Sequence, residues 1–451
     1  MKARFLIPLF AASTFCGLGL AGEPLTLDQA LSLALQKSKA SQLGQTKVDT
    51  AAAELTAAQR QRFAQVHVYG ASWYMKDPLE VKLARGSLTS VLNGTGPALG
   101  LGPLDVTAFP TNDLALARGS RTPSVGSLTV AQPLSQLWRI GSGVRAAGAG
   151  VAEAQRELNH VNARIRLDIE ELFVGLRVQT LRISEKEAML RWQERRLHDA
   201  RVARSAGELL DDKVIGLGAA VIQARAELTR SRQEYARLSL ELADLIGRGG
   251  VDDLVVTDRL PTREDRPLSD WIAQAANNPE RLIAAATLER ATAGVRAARQ
   301  AYIPDVSLVG GVVRQDGVPL VARDNGVVGV TLSWDVFDFG RRRALVTRAL
   351  SQRRGAELNQ DRLEEEAARR LRLAHQDLVF ADERIALAHE AVSFRRRASE
   401  LAHQSATNGL ALEAATLETD AELRKAEADL FDANCQRHIA LLHLHYLAGQ
   451  L

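Results

Sequence analysis

The sequence predicts a mainly α-helical chain that also supplies strands to a transmembrane β-barrel. Three observations carry that prediction. Residues 327–340, VVGVTLSWDVFDFG, alternate apolar and small or polar residues. Long helical patterns with a seven-residue apolar repeat fill much of the chain. The same order of elements then occurs twice.

The alternating stretch is read first. Val328, Val330, Leu332, Trp334 and Val336 fall on one face, and Gly329, Thr331, Ser333 and Asp335 on the other. About ten residues is what a tilted strand needs to cross a bilayer. Such a strand cannot stand alone in lipid, because its edges leave backbone N–H and C=O groups unpaired. It requires a closed barrel. Leu128, Val130 and Leu134 are expected to face lipid in the same way, opposite Thr129 and Ala131. Tyr69 and Trp73 are expected to join Trp334 in interfacial aromatic belts.

The first residues read as an export signal. Lys2 and Arg4 precede a largely apolar run, residues 5–20, and Gly19-Leu20-Ala21 places cleavage after Ala21. Lipidation at Cys16 is disfavoured by bulky Phe15 before it. Cleavage leaves Cys435 alone, so no intrachain disulfide is expected. The formal charge is +3 and falls to about +1 without Lys2 and Arg4, which excludes a nucleic-acid binder on charge grounds. No later stretch reaches about 18 apolar residues, so no transmembrane helix is predicted.

After a signal peptide at 1–21, two repeats are expected, 22–246 and 267–451, joined by a connector at 247–266. Each opens on an N-cap candidate, Thr26 or Ser269, followed by an apolar helical face. Second helices follow near 41–62 and 279–301. Strands are expected at 66–75 and 125–134, then at 306–314 and 327–337. The loop between the first pair, 76–124, is long and rich in Gly, Pro, Ser and Thr; its counterpart is about a dozen residues. Helices come next at 141–204 and 210–246, then at 341–406 and 410–448. Val151, Leu158, Ile165 and Leu172 recur every seven residues, as do Leu371, Leu378, Ile385 and Val392. Such seams make helices supercoil on neighbours.

No nucleophile–base arrangement, phosphate loop or metal signature stands out, so no enzyme, cofactor or metal site is predicted. His438 and His445 share a face seven residues apart, not the four a zinc pair needs.

These residues resemble the TolC-like outer-membrane efflux proteins. "LTLDQALSLAL", "AYIPDVSLVGG", "VGVTLSWDVFDFGRRR" and "NGLALEAATLETDAELRKAEADL" carry the resemblance, with Pro133 in "VGSLTVAQPLSQL". The resemblance implies a homotrimer whose protomers each give four strands to a 12-stranded barrel in outer-membrane lipid. An α-helical barrel would continue into the periplasm of a Gram-negative cell. It implies a passive exit duct for efflux or type I secretion, opened by a periplasmic adaptor and an inner-membrane pump. By position after the turn glycines, Glu413 and Glu418, with Asp211 and Asp212, would ring the periplasmic mouth. The family's usual aspartate is replaced at that place by Ala415. Gly207, Leu209, Leu210, Gly409, Leu410 and Leu412 would form the tip on which the adaptor docks. An exported coiled-coil scaffold without channel activity is the alternative. It explains the heptads but not the paired strands.

Overall fold

The computed structural model describes residues 25–95, 107–248, 261–410 and 412–451. The export segment with Cys16 and the cleavage site lies outside the described residues, as do part of the long loop, 96–106, and most of the connector, 249–260. Among the described residues no helix is long and apolar enough to cross a membrane.

Elements follow the doubled order. The first half gives α1 (Leu27–Lys37), α2 (Lys39–Arg60), β1 (Gln65–Ser72), β2 (Glu80–Leu83), α3 (Thr89–Thr95), β3 (Leu114–Arg118), β4 (Ser124–Pro133), α4 (Gln136–Ser205) and α5 (Asp211–Leu245). The second gives α6 (Leu268–Gln274), α7 (Pro279–Gln300), β5 (Asp305–Asp316), β6 (Asp324–Ser333), α8 (Arg341–Thr407) and α9 (Glu413–Leu447). Thr26 caps α1 in a reciprocal box. Its Oγ1 accepts the Gln29 N–H at 3.3 Å while its own N–H reaches Gln29 Oε1 at 3.1 Å. Ser269 does not cap α6. Pro267 holds the extended N-cap conformation and Ser269 lies inside the helix, because a proline needs no N–H partner at a helix start.

Contacts divide the chain into two compact units, each taking segments from both sequence halves. One comprises Asp49–Glu153 and Ala285–Asn359 and contains all six strands. Its main sheet is antiparallel in the order β1-β4-β5-β6, so β1 and β6 are edges. The loop expected at 76–124 is not featureless. β2 and β3 pair within it as a two-stranded sheet, tied by Glu80 to Lys82 (2.8 Å) and Arg118 (2.7 Å). Gly119 follows, its N–H bonded to Leu79 O at 2.8 Å; Gly317 O would lie 2.6 Å from any Cβ there. No larger residue fits at position 119 without moving the β5–β6 turn.

The other unit comprises Met1–Val48, Ala154–Ala284 and Gln360–Leu451. Two equivalent apolar clusters build it. Leu27, Ala30 and Ala34 of α1 pack on Ile169 and Phe173 of α4 and on Leu242 of α5. Trp271 of α6 packs on Leu371 and Leu378 of α8 and on Leu441 and Leu444 of α9. Of the eight heptad residues, Leu158, Ile165, Leu371, Leu378 and Val392 are buried, while Val151, Leu172 and Ile385 are half-buried. Ion pairs set the neighbour order. α5 meets α4 through Arg225–Glu194 (2.7 Å), α4 meets α9 through Arg182–Asp432 (2.9 Å), and α9 meets α8 through Arg437–Asp382 (2.6 Å). The order is α5–α4–α9–α8, which leaves α5 and α8 at the two ends.

Cys435 is buried in α9, and burial pushes its thiol up to about 12. The thiolate is the reactive form. Maleimide labelling at neutral pH is therefore expected to spare Cys435 in the folded protein and to modify it fully in denaturant. Rapid labelling of the native state would contradict this burial.

Candidate functional site: the barrel sheet and the helical tip

Register sorts the sheet into two faces. Val66 and Val68 of β1, Leu128 and Val130 of β4, Leu308 and Val312 of β5, and Val328, Val330 and Leu332 of β6 line up on one. All nine are exposed. His67, Tyr69, Ser127, Thr129, Ala131, Ser307 and Thr331 line up on the other. A contiguous exposed apolar face of this extent needs a covering medium.

Tyr69 does not share the apolar face as the sequence suggested. It pairs with Ser127 on the polar side, because three residues from Val66 puts it on the opposite face of the strand. Trp73 lies past the end of β1. Trp334 and Val336 lie past the end of β6. The chain leaves the strand there to build a turn on Asp338, which accepts the Gly340 N–H (3.1 Å), the Arg342 N–H (3.0 Å) and Arg342 Nε (2.7 Å). The carboxylate thus caps α8, whose own first turn carries three arginines.

The two helical turns are copies of one device. Gly207 (φ +77°) ends α4 and Gly409 (φ +70°) ends α8. The Glu208 N–H reaches Ala203 O at 2.9 Å, and the Leu410 N–H reaches Ser405 O at 2.8 Å. Both close a left-handed glycine cap. Leu210 and Leu412 then hold the N-cap positions of α5 and α9 with no side-chain bond. A leucine is a poor cap, yet both turns keep one exposed there, and Leu410 is 81% exposed. Leu209 is half-buried.

The acidic candidates are not equivalent. Glu413 in the first turn of α9 is held by Arg195 of α4 at 2.8 Å. Asp211 pairs with Arg204, and Asp212 accepts the Lys213 N–H at 2.8 Å. Glu418 is exposed and has no partner among the described residues. The partner arginines do not stand out in the sequence: nine residues apart, Arg195 and Arg204 point to opposite sides of α4, one toward α9 and one toward α5. Further up, Arg182 binds Asp429 (2.5 Å), Asp432 (2.9 Å) and Glu185 (3.2 Å). Burial would lower its pKa, but the hydrogen bonds it donates to those carboxylates outweigh burial and hold the guanidinium charged.

His438 Nε2 lies 2.6 Å from Glu170 Oε1. Among the described residues no group of three or more metal-ligating side chains converges.

This is the fold of the outer-membrane channels. VceC, an outer membrane protein of Vibrio cholerae, superposes with a TM-score of 0.71 at 17% identity, covering 94% of this chain and 96% of that one. The CmeC outer membrane channel of Campylobacter jejuni gives 0.73 at 13% identity, over 99% and 94%. The MtrE outer membrane channel of Neisseria gonorrhoeae gives 0.67 at 15%, over 94% and 88%. Residues 272–450 match the family model described as outer membrane efflux protein. The resemblance read from the sequence and the family model over residues 272–450 agree in description. Among curated proteins none matches the chain.

Proposed function

We propose that this chain is the protomer of a trimeric outer-membrane exit duct. One observation carries the reading: a four-stranded sheet with two unpaired edges and an exposed apolar face. Edges of that kind are excluded from lipid unless they pair. Three such sheets closed edge to edge make twelve strands with the apolar face outward.

A second stripe supports the ring. α8 buries Leu371 and Leu378 but exposes Leu373, Phe380, Leu387, Phe394 and Leu401, also seven apart and on the opposite side. α5, at the other end of the helix order, exposes Ile215 and Ile222. Helices with a seam on each side pack against neighbours on each side. α8 of one protomer therefore meets α5 of the next, a head-to-tail contact that closes a ring.

The duct is passive. Leu210, Leu410 and Leu412 form the exposed tip that a periplasmic adaptor engages, and an inner-membrane pump supplies energy and cargo choice. Purified protein in planar bilayers tests the core reading: it should run as a trimer and give discrete single-channel steps. A water-soluble monomer that never conducts would overturn it.

The mouth is held by Arg195–Glu413, with Glu418 free to line it. Arg195→Glu places like charges together and is expected to raise the resting conductance. An exposed pair contributes up to about 1 kcal/mol, so three copies shift the closed–open balance by roughly 10- to 100-fold. Unchanged resting conductance would remove this pair from the gate.

A further inference from the structure

The register puts the start of β1, the end of β4, the start of β5 and the end of β6 at one end of the sheet, where each joins a helix. All four joins carry the same chemistry. Phe63 stands beside Arg60 and Arg62, Trp138 beside Arg139, and Tyr302 three residues after Arg299. Trp334, Phe337 and Phe339 precede Arg341, Arg342 and Arg343. Every one of these rings is exposed, and Phe339 is 92% so. Aromatics make up only 5% of the chain, yet six stand at these four joins.

Charge at this end is lopsided. The three aspartates are each taken by an arginine: Asp305 by Arg139 (3.2 Å), Asp335 by Arg341 (3.2 Å) and Asp338 by Arg342 (2.7 Å). Arg342 also stacks on the Tyr302 ring at 5.2 Å. The guanidinium groups of Arg62, Arg299 and Arg343 are exposed with no partner among the described residues. At the other end of the sheet, Arg323 and Arg314 meet Asp316 and Asp324 instead.

Uncompensated arginines interleaved with exposed rings, directly below an apolar band, match one surface: a phosphate layer over acyl chains. We propose that this belt docks anionic phospholipid headgroups, with Arg62, Arg299 and Arg343 on the phosphates and the rings at the acyl boundary. The belt fixes the depth of the barrel and selects the lipids around it. It rests on the reading of the sheet as part of a lipid-embedded barrel.

Trp138 and Trp334 sit in the belt and report on it directly. The full chain carrying Trp73→Phe is reconstituted in bilayers, and its fluorescence is quenched with brominated phosphatidylglycerol or brominated phosphatidylcholine. Phosphatidylglycerol should quench preferentially. The preference should fall by roughly fivefold per arginine in Arg62→Gln, Arg299→Gln and Arg343→Gln variants that still conduct. Equal quenching by both lipids in a conducting protein would overturn the belt alone. Loss of the preference to inorganic phosphate at matched ionic strength would also overturn it, marking a free-anion site. A chain that never enters the bilayer would overturn the barrel reading, and the belt with it.

Discussion

Arginine in place of Val328 is expected to abolish membrane insertion, while arginine at its neighbour Val327 leaves insertion intact. The two valines sit at the same depth of β6 and differ only in face. Val328 pairs with Gly310 and, through it, lines up with Val130 and Val66; Val327 pairs with Gly311 on the side of Thr129 and His67. A lipid-facing arginine near the bilayer midplane costs about 2–4 kcal/mol. Three symmetry copies bring this to about 6–12 kcal/mol, comparable to the whole stability of many domains. An arginine facing a wet interior costs far less. The amount of trimer recovered in outer-membrane fractions, or inserted into liposomes, measures the difference. Equal recovery of both variants, or the reverse order, would show that the faces are assigned wrongly.

Glu170→Ala should free the connector. Glu170 is 3% exposed. It receives His438 at 2.6 Å and Arg263 at 2.7 Å, so one carboxylate joins α4, α9 and the connector. Arg437 adds a second tie, to Asp265, at 3.2 Å. Removing one member of a buried charge group strands the others, at about 3–5 kcal/mol. Trypsin cleavage after Arg263 in the intact assembly is the readout, since Pro267 blocks cleavage after Arg266, and it should accelerate by at least two orders of magnitude. Wild-type cleavage rates in the alanine variant would mean that the connector is held elsewhere.

The same carboxyl sets an acid limit. Burial alone would raise its pKa, but hydrogen bonds from His438 and Arg263 outweigh burial and hold it below the ordinary carboxylate range. A depressed carboxyl stabilises the fold at pH above its unfolded value and loses that contribution as pH falls through the folded value. The connector of the wild-type protein should therefore stay protected through the usual carboxylate range and open only below it. Glu170→Gln should lack this part of the pH dependence.

Periodicity made the architecture legible. Strands alternate at period two and the long helices at seven, so Val328, Leu332, Leu371 and Leu378 announce their elements without tertiary information. Three things escaped. The small β2–β3 sheet is too short for alternation to register among glycines and prolines. The second stripe on α8, Leu373 to Leu401, was hidden behind the first, since one seam already explains a helix. Tyr69 was grouped with Trp334 by residue type, whereas alternation from Val66 puts it on the opposite face, where it pairs with Ser127. The tip acids were proposed by position, but their partners Arg195 and Arg204 belong to another helix and needed three dimensions.

The raw margins of β1 and β6 have a consequence before any cargo moves. A newly delivered protomer is a template for whatever extended chain it meets first, its own kind included, and fibrous by-products are the natural result. On the proposed threefold closure, maturation is a race between that closure and indiscriminate adhesion, decided by local concentration.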